Sequence, residues 1–272
     1  MKHLNMAVVG KDVSKSLSPK MHTFIMKNLG VSCSYDTVSV AEADFEKTAP
    51  TLFEKYDAFS VTIPYKLAIQ SYLKEIKGDA AVFGAVNTVD VKTGYGYNTD
   101  GMGFLLMLRN AGVKTEGKTA LVLGSGGAGR SVIKKLLDGG ATVFAYDVNK
   151  ESLHKVHEEF PAFTPLDTLE NKPYDIIVNC TGIGMHKSEG KSPVGKELLS
   201  LCGVAVDLIY VPKKSEFLRI AERLGKPIVN GEAMLFYQAY FSDCIFLNLQ
   251  PSDEQAKRLF EQYERYEQYT EE

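Results

Sequence analysis

Lys118-Thr-Ala-Leu-Val-Leu-Gly124-Ser125-Gly126-Gly127-Ala128-Gly129-Arg130 is the stretch that decides the fold. A short apolar β-type run empties into glycines at 124, 126 and 129, and a helical pattern follows over 127–137, closed by Gly139-Gly140. In such a loop the first glycine serves a tight turn. The second lets backbone approach a pyrophosphate, and the third lets helix pack closely on strand. The N–H groups opening the helix then face the anion, with the helix dipole behind them. A second strand at 142–146 runs into Asp147, about 20 residues beyond the first glycine, where a carboxylate accepts hydrogen bonds from ribose hydroxyls. A lone GxGxxG says little, but strand, glycines, helix and second strand in this order predict a dinucleotide site. A carboxylate at 147 repels a 2′-phosphate, and Val148, Asn149 and Lys150 supply no arginine to hold one. NAD is therefore the expected cofactor, with NADP the alternative through Lys150.

Working outward, strands are expected at 174–180, 204–209 and 227–229, and helices at 150–160 and 215–224. From Ala233 onward the chain reads as helix. Upstream, strand patterns at 4–9, 34–40, 58–63 and 85–91 alternate with helical ones at 18–30, 44–55, 66–76 and 101–111. Alternation of this kind predicts an α/β class, with mostly parallel sheets covered by helices on both faces. The pattern restarts near residue 117. It predicts an α/β substrate-binding and catalytic domain over 1–103 plus 233–272, and a Rossmann-type doubly wound nucleotide domain over 104–232.

Composition narrows the function classes. A chain of 272 residues has room for one large or two modest domains. Its 44% hydrophobic and 24% charged residues are a globular mix, which argues against disorder. With 31 basic and 34 acidic side chains the net charge is −3, so neither nucleic acid nor a membrane surface has electrostatic support. Cys33, Cys180, Cys202 and Cys244 are scattered. His154 and His157 lack a ligand companion, so no metal site is expected. No uncharged run approaches the ~18 residues of a membrane span, and the first 30 residues lack a signal-peptide pattern. A soluble cytoplasmic protein, monomer or homodimer, is expected.

Four segments of the first half are more polar than structure alone requires. They are Ser14-Lys-Ser16-Leu-Ser18-Pro19-Lys-Met21-His22, Ser60-Val-Thr62-Ile-Pro64-Tyr-Lys66, Gly84-Ala-Val-Asn87-Thr88, and Gly96-Tyr-Asn98-Thr99-Asp100-Gly101. One serine is enough to open a helix at Ser18-Pro19; three hydroxyls suit an oxygen-rich ligand. Later come Asn179-Cys-Thr181-Gly-Ile-Gly184, Asp207-Leu208-Ile-Tyr210-Val-Pro212 and Gly231-Glu-Ala-Met-Leu-Phe-Tyr-Gln238. Together with the glycine loop, and in this order, these strings resemble the shikimate dehydrogenases, including the quinate/shikimate enzymes, from about residue 4 to 245.

The resemblance implies hydride exchange between a nicotinamide and C3 of a cyclohexene carboxylate polyol, 3-dehydroshikimate to shikimate. It puts the catalytic lysine at Lys66 and its aspartate partner at Asp100. Substrate contacts fall on Ser16, Ser18, Thr62, Asn87, Tyr210 and Gln238. Cofactor contacts fall on the loop 124–130, on Asp147, and around Thr181, Leu208 and Gly231. Physically, reduction of a ketone leaves an alkoxide, which needs a proton donor within hydrogen-bond reach. Lys66, read as the start of a helix, would meet a dipole working against its charged ammonium. The chain departs from the family at Ser60 and Thr23, where asparagine is usual, and at Asp147-Val-Asn149, where NADP-dependent members commonly carry Asn-Arg-Thr. Quinate is an alternative substrate. A non-catalytic nucleotide-responsive protein on the same scaffold is the rival from another class.

Overall fold

A computed structural model describes residues 3–270. The chain runs β1 (His3–Gly10), α1 (Ser18–Asn28), β2 (Ser32–Ser39), α2 (Phe45–Lys55), β3 (Ala58–Val61), β4 (Glu75–Ile76) and α3 (Asp79–Phe83). Then come β5 (Thr88–Asp90), β6 (Tyr95–Tyr97), α4 (Asp100–Asn110), β7 (Thr119–Leu123), α5 (Gly127–Asp138), β8 (Thr142–Tyr146) and α6 (Lys150–Glu159). The remainder is β9 (Thr164–Pro165), β10 (Tyr174–Asn179), α7 (Lys196–Leu199), β11 (Cys202–Asp207), α8 (Glu216–Arg223), β12 (Ile228–Val229), α9 (Glu232–Leu247) and α10 (Asp253–Thr270). Two compact units result. One comprises the chain up to Gly103 together with everything from Phe236 on; the other is Phe104–Leu235.

The first unit carries a six-stranded sheet in the order β2-β1-β3-β5-β6-β4. Strand β1 is parallel to β2 and β3, whereas β5 is antiparallel to both β3 and β6. The sheet is mostly parallel, as expected for this half, with one reversal, that of β5. Its cause is a hairpin: Gly94 takes φ +73° and donates its N–H to Asp90 O at 2.9 Å, turning the chain straight back from β5 into β6. Alternation along β1 feeds two cores. Ala7 and Val9 pack with Phe45, Ala49 and Leu52 of α2, and Leu4 and Met6 pack with Met26 of α1.

The helix expected at 66–76 does not form. A turn over residues 63–67 leads instead into a short 3-10 segment, Ala68–Tyr72, and then into β4. Tyr65 and Ile69 are 3% and 0% exposed and enter the core fully, Tyr72, Leu73 and Ile76 pack against it partly buried, and Leu67 is 65% exposed. The end of the stretch is held by sheet pairing instead: Lys74 N–H donates to Gly94 O at 2.9 Å and Lys77 N–H to Gly96 O at 2.8 Å, placing β4 beside β6.

The second unit is a six-stranded sheet, β12-β11-β10-β7-β8-β9, with every neighbouring pair parallel. Numbered within the unit, that is the 3-2-1-4-5-6 order of doubly wound dinucleotide folds. Both faces are covered, so its strands read as near-continuous apolar runs. Leu121, Leu123, Ile177 and Ala205 pack with Phe217, Leu218 and Ala221 of α8. The alternate positions Ala120, Val122, Ile176 and Val178 are equally buried. No helix among the described residues is long and apolar enough to cross a membrane.

Candidate active site

In the first unit the turn after β3 is held by what precedes Lys66. Tyr65 is buried, stacks on Phe45 at 4.0 Å between ring centroids, and donates its hydroxyl to Val40 O at 2.5 Å. On the other side, Lys66 O accepts the Val86 N–H at 2.8 Å. The lysine therefore projects from backbone fixed at the preceding residue and at its own carbonyl. Asp100 is the first residue of α4, and its own N–H is held by Asn98 Oδ1 at 3.0 Å. Lys66 Nζ donates to Asp100 Oδ2 at 2.6 Å, with the two side chains 23% and 13% exposed. The pair is mostly enclosed by protein and keeps some contact with solvent. Because no α-helix starts at Lys66, its electrostatic neighbour is this carboxylate and not a helix terminus, which corrects the dipole expectation.

Asn87 and Gln238 join the same cluster. Asn87 Nδ2 donates to Asp100 Oδ1 at 2.8 Å and lies 3.3 Å from Gln238 Oε1. Asn87 Oδ1 accepts from Thr88 Oγ1 at 2.7 Å and from the Thr99 N–H at 3.0 Å. Ser242, four residues after Gln238 on α9, contacts Thr88 Oγ1 at 2.7 Å and Thr99 Oγ1 at 3.1 Å. The sequence reading assigned roles to Lys66, Asp100, Asn87 and Gln238 but none to Thr88, Thr99 or Ser242. The i, i+4 spacing of Gln238 and Ser242 on one helix face is the signal that points to the last of these.

The remaining first-unit residues have partners of their own. Ser16 Oγ donates to Ser18 Oγ at 3.1 Å and accepts the Ser18 N–H at 3.2 Å, so Ser18 is the first helical residue and Ser16 satisfies its amide. Thr62 leads into the turn that carries Lys66, its N–H bonded to Val9 O at 2.9 Å. Ser60, where the family usually has asparagine, accepts from Tyr35 Oη at 2.9 Å. Tyr35 stacks on His22, and His22 Nδ1 meets Asp243 Oδ1 at 2.6 Å with both side chains fully buried.

In the second unit every residue expected to touch a cofactor lies just past the C-terminal end of a strand. The loop 124–130 follows β7, Asp147 follows β8, Thr181 follows β10, Leu208 follows β11 and Gly231 follows β12. Strands β7 and β10 are neighbours, and the chain departs from them in opposite directions across the sheet, so the loop sits at the topological switch point. Gly124 takes φ +94°, and a Cβ on Gly129 would lie 2.0 Å from Gly124 O. A Cβ on Gly126 or Gly127 would meet nothing within 4 Å, leaving open space before the first N–H groups of α5. Thr181 borders the loop, its Cγ2 3.0 Å from where a Gly124 Cβ would be. Gly231 comes so close to Leu208 that a Cβ there would stand 2.2 Å from Leu208 O. Arg130 pairs with Glu159. Tyr210, in the segment after β11, is half-buried, and burial pushes its phenol up.

Asp147 is tied to the loop it was expected to complement. Its Oδ2 accepts from Ser125 N at 2.6 Å and Ser125 Oγ at 2.9 Å, and Oδ1 accepts from Asn149 N at 2.9 Å. The carboxyl lies below its ordinary value. Burial, the largest influence, pushes it up, but the hydrogen bonds from Ser125 and Asn149 together outweigh that.

Asp207, fully buried at the end of β11, is the opposite case. Its Oδ1 accepts from Asn179 Nδ2 and Ile209 N, each at 3.0 Å, and Ser215 Oγ donates to Oδ2. No cation is among these partners, and burial pushes the carboxyl up from 3.8 to about 6. A raised folded-state pKa means that protonation favours the native form. The associated stability is fully present below about pH 4 and is lost as pH rises through about 6, roughly 3 kcal/mol in all. Asp207→Asn keeps an acceptor for Asn179 and Ile209 and removes the titration. Urea midpoints from pH 4 to 7 are expected to fall for the native chain relative to this variant. Parallel profiles would contradict the assignment.

A doubly wound dinucleotide fold, joined in one chain to a unit presenting a lysine–carboxylate pair among hydroxyl and amide groups, defines a nicotinamide-type oxidoreductase. Comparison with known proteins gives the family. The model of the shikimate dehydrogenase substrate binding domain matches residues 8–89. The shikimate dehydrogenase (NADP(+)) of Syntrophomonas wolfei is 35% identical over 262 residues, covering 90% of each chain. The crystal structure of a chorismate mutase/shikimate 5-dehydrogenase fusion protein from Clostridium acetobutylicum superposes with TM-score 0.88 at 33% identity, covering 98% of this chain and 99% of that one. The Thermus thermophilus shikimate 5-dehydrogenase, solved with NADP(H) and shikimate, does so with TM-score 0.84 at 32% identity, covering 94% and 99%. The chain belongs to the shikimate dehydrogenase family.

Proposed function

We propose that this protein is a shikimate dehydrogenase that interconverts 3-dehydroshikimate and shikimate, with Lys66 and Asp100 as the proton-transfer pair. The observation that carries the reading is the 2.6 Å contact between Lys66 Nζ and Asp100 Oδ2, flanked by Asn87 and Gln238. Ser16, Ser18, Thr62, Asn87, Gln238 and Tyr210 are the proposed substrate contacts, their hydroxyl and amide groups suiting a carboxylate polyol.

Bound at the loop 124–130, a nicotinamide dinucleotide supplies or accepts the hydride. The chain's own groups handle the proton. As the ketone oxygen gains negative charge, Lys66 Nζ gives up a proton to it, and the ammonium stabilises that charge before transfer. Asp100 keeps the amine aimed until that moment. Asn87, donating to the other carboxylate oxygen, fixes the plane of Asp100. The test is absorbance at the reduced-nicotinamide band after mixing protein, shikimate and oxidised cofactor. A flat trace with shikimate and with quinate would leave only a binding protein on this scaffold. Steady-state constants for both polyols decide between shikimate and quinate/shikimate dehydrogenase.

Cofactor choice departs from the sequence expectation. The NAD preference inferred from Asp147 is not supported by the relatives, which are named as NADP(+) enzymes, so NADP is the favoured cofactor. The open space over Gly126 and Gly127 fits the phosphates of either dinucleotide. The Asp147 carboxylate still opposes a 2′-phosphate, so discrimination against NAD should be weak. Asp147→Ala is expected to raise the NADP-to-NAD ratio of kcat/KM by about tenfold or more, the effect of removing one close like charge. An unchanged ratio would take Asp147 out of cofactor selection.

A further inference from the structure

Behind the Lys66–Asp100 pair lies a file of buried hydroxyls and one amide. Thr88, Thr99 and Ser242 are each 0% exposed, and Asn87 is 3% exposed. Only one orientation of the Asn87 amide satisfies its neighbours. Its oxygen faces two donors, Thr88 Oγ1 at 2.7 Å and the Thr99 N–H at 3.0 Å; its nitrogen faces the Asp100 carboxylate, an obligate acceptor, at 2.8 Å. With the Thr88 proton given to Asn87, the single Ser242 proton faces two acceptors, Thr88 Oγ1 at 2.7 Å and Gln238 O, one turn back on α9, at 2.9 Å, and is shared between them. Ser242 Oγ can in turn accept from Thr99 Oγ1 at 3.1 Å. Donation then runs one way from Thr88 to Asn87 to Asp100, where it meets Lys66 from the other side, and Ser242 braces Thr88 from α9.

We propose that Thr88 and Ser242 are positioning residues for proton transfer, acting through the Asn87 amide to fix the Asp100 carboxylate against Lys66. The inference rests on the reading of Lys66 and Asp100 given above. It also says why α9 supplies two polar residues a turn apart. Gln238 sits at the rim of the cluster beside Asn87, and Ser242 anchors it from behind. A reversed amide would turn its oxygen towards Asp100, and two acceptors would face each other in a poorly hydrated place.

The test uses Thr88→Val, which keeps the branched shape and removes the donor, with Thr88→Ser as the conservative control and Ser242→Ala as an independent probe. Thr88→Val is expected to lower kcat about tenfold, the scale of one buried hydrogen bond, with the KM for the nicotinamide cofactor unchanged. Thr88→Ser should restore turnover, and Ser242→Ala should show the same kcat-specific loss, smaller in size. In an Asn87→Ala background, Thr88→Val should change kcat by about twofold or less, because its effect passes through the missing amide. Equal losses in both backgrounds, or native kcat in both Thr88→Val and Ser242→Ala, would overturn the proposal. Lys66→Ala run alongside separates the two ideas: native turnover there removes the catalytic reading itself, whatever Thr88 does.

Discussion

Turnover of shikimate is expected to fall by about 10²–10⁴-fold in Lys66→Ala, the range that one positioned general acid or base contributes. Binding of the nicotinamide dinucleotide should survive, because every loop proposed to hold it belongs to the other unit. Stability should hardly change. The ammonium is 23% exposed, and removing it leaves Asp100 with its Asn87 donor at 2.8 Å and its amide anchored by Asn98. Turnover within a few-fold of native, measured alongside dinucleotide affinity by fluorescence, would remove Lys66 from the chemistry. Equal loss of turnover and affinity would point to a folding defect instead.

The second large effect is expected at Gly129. A methyl group there would stand 2.0 Å from Gly124 O and 2.9 Å from Gly124 C. Both are backbone atoms, and they belong to the loop between β7 and α5. The helix must move off the strand to make room, at a cost of about 1–3 kcal/mol for overpacking. Gly129→Ala should therefore lower the melting temperature and weaken dinucleotide binding together. Gly126→Ala is the informative contrast. Its Cβ meets no protein atom within 4 Å and its φ is −65°, so the fold should tolerate it while the approach of a phosphate does not. Native melting and native affinity in Gly129→Ala would show that the loop is looser than its geometry.

The second unit was the more legible in sequence because its signals are local. A glycine at φ +94°, a third glycine touching the first, and strands apolar on both faces leave marks within a dozen residues of one another. Of this unit's short pieces β12 was expected, at 227–229, and others were missed. Strand β9 is Thr164–Pro165 and α7 is Lys196–Leu199, too brief for either periodicity to register. In the first unit the alternation at 85–97 conceals a reversal, since β5 and β6 are three residues each and the turn rests on Gly94. Lys66 and Asp100 were reached by resemblance to a family; spacing alone leaves a lysine after a proline and an aspartate ahead of a helix. Their convergence is a tertiary fact, 34 residues apart in sequence and 2.6 Å apart in space. Ser242 had only its i+4 spacing from Gln238 to announce it, and Asp147 shows the limit of reading one charge: its oxygens are engaged by Ser125 and Asn149.

One of the two units is a single uninterrupted stretch, and the other is stitched from both ends of the chain. On the ribosome that difference sets a timetable. The nucleotide-type sheet has all its strands once β12 has emerged, whereas the unit bearing Lys66 still lacks Gln238 and Ser242. It must wait, with the Leu4–Met6–Met26 face uncovered, for Phe246 and Leu247 to arrive. A nascent chain stalled before α9 would carry the lysine and the aspartate and yet be without the helix that encloses them.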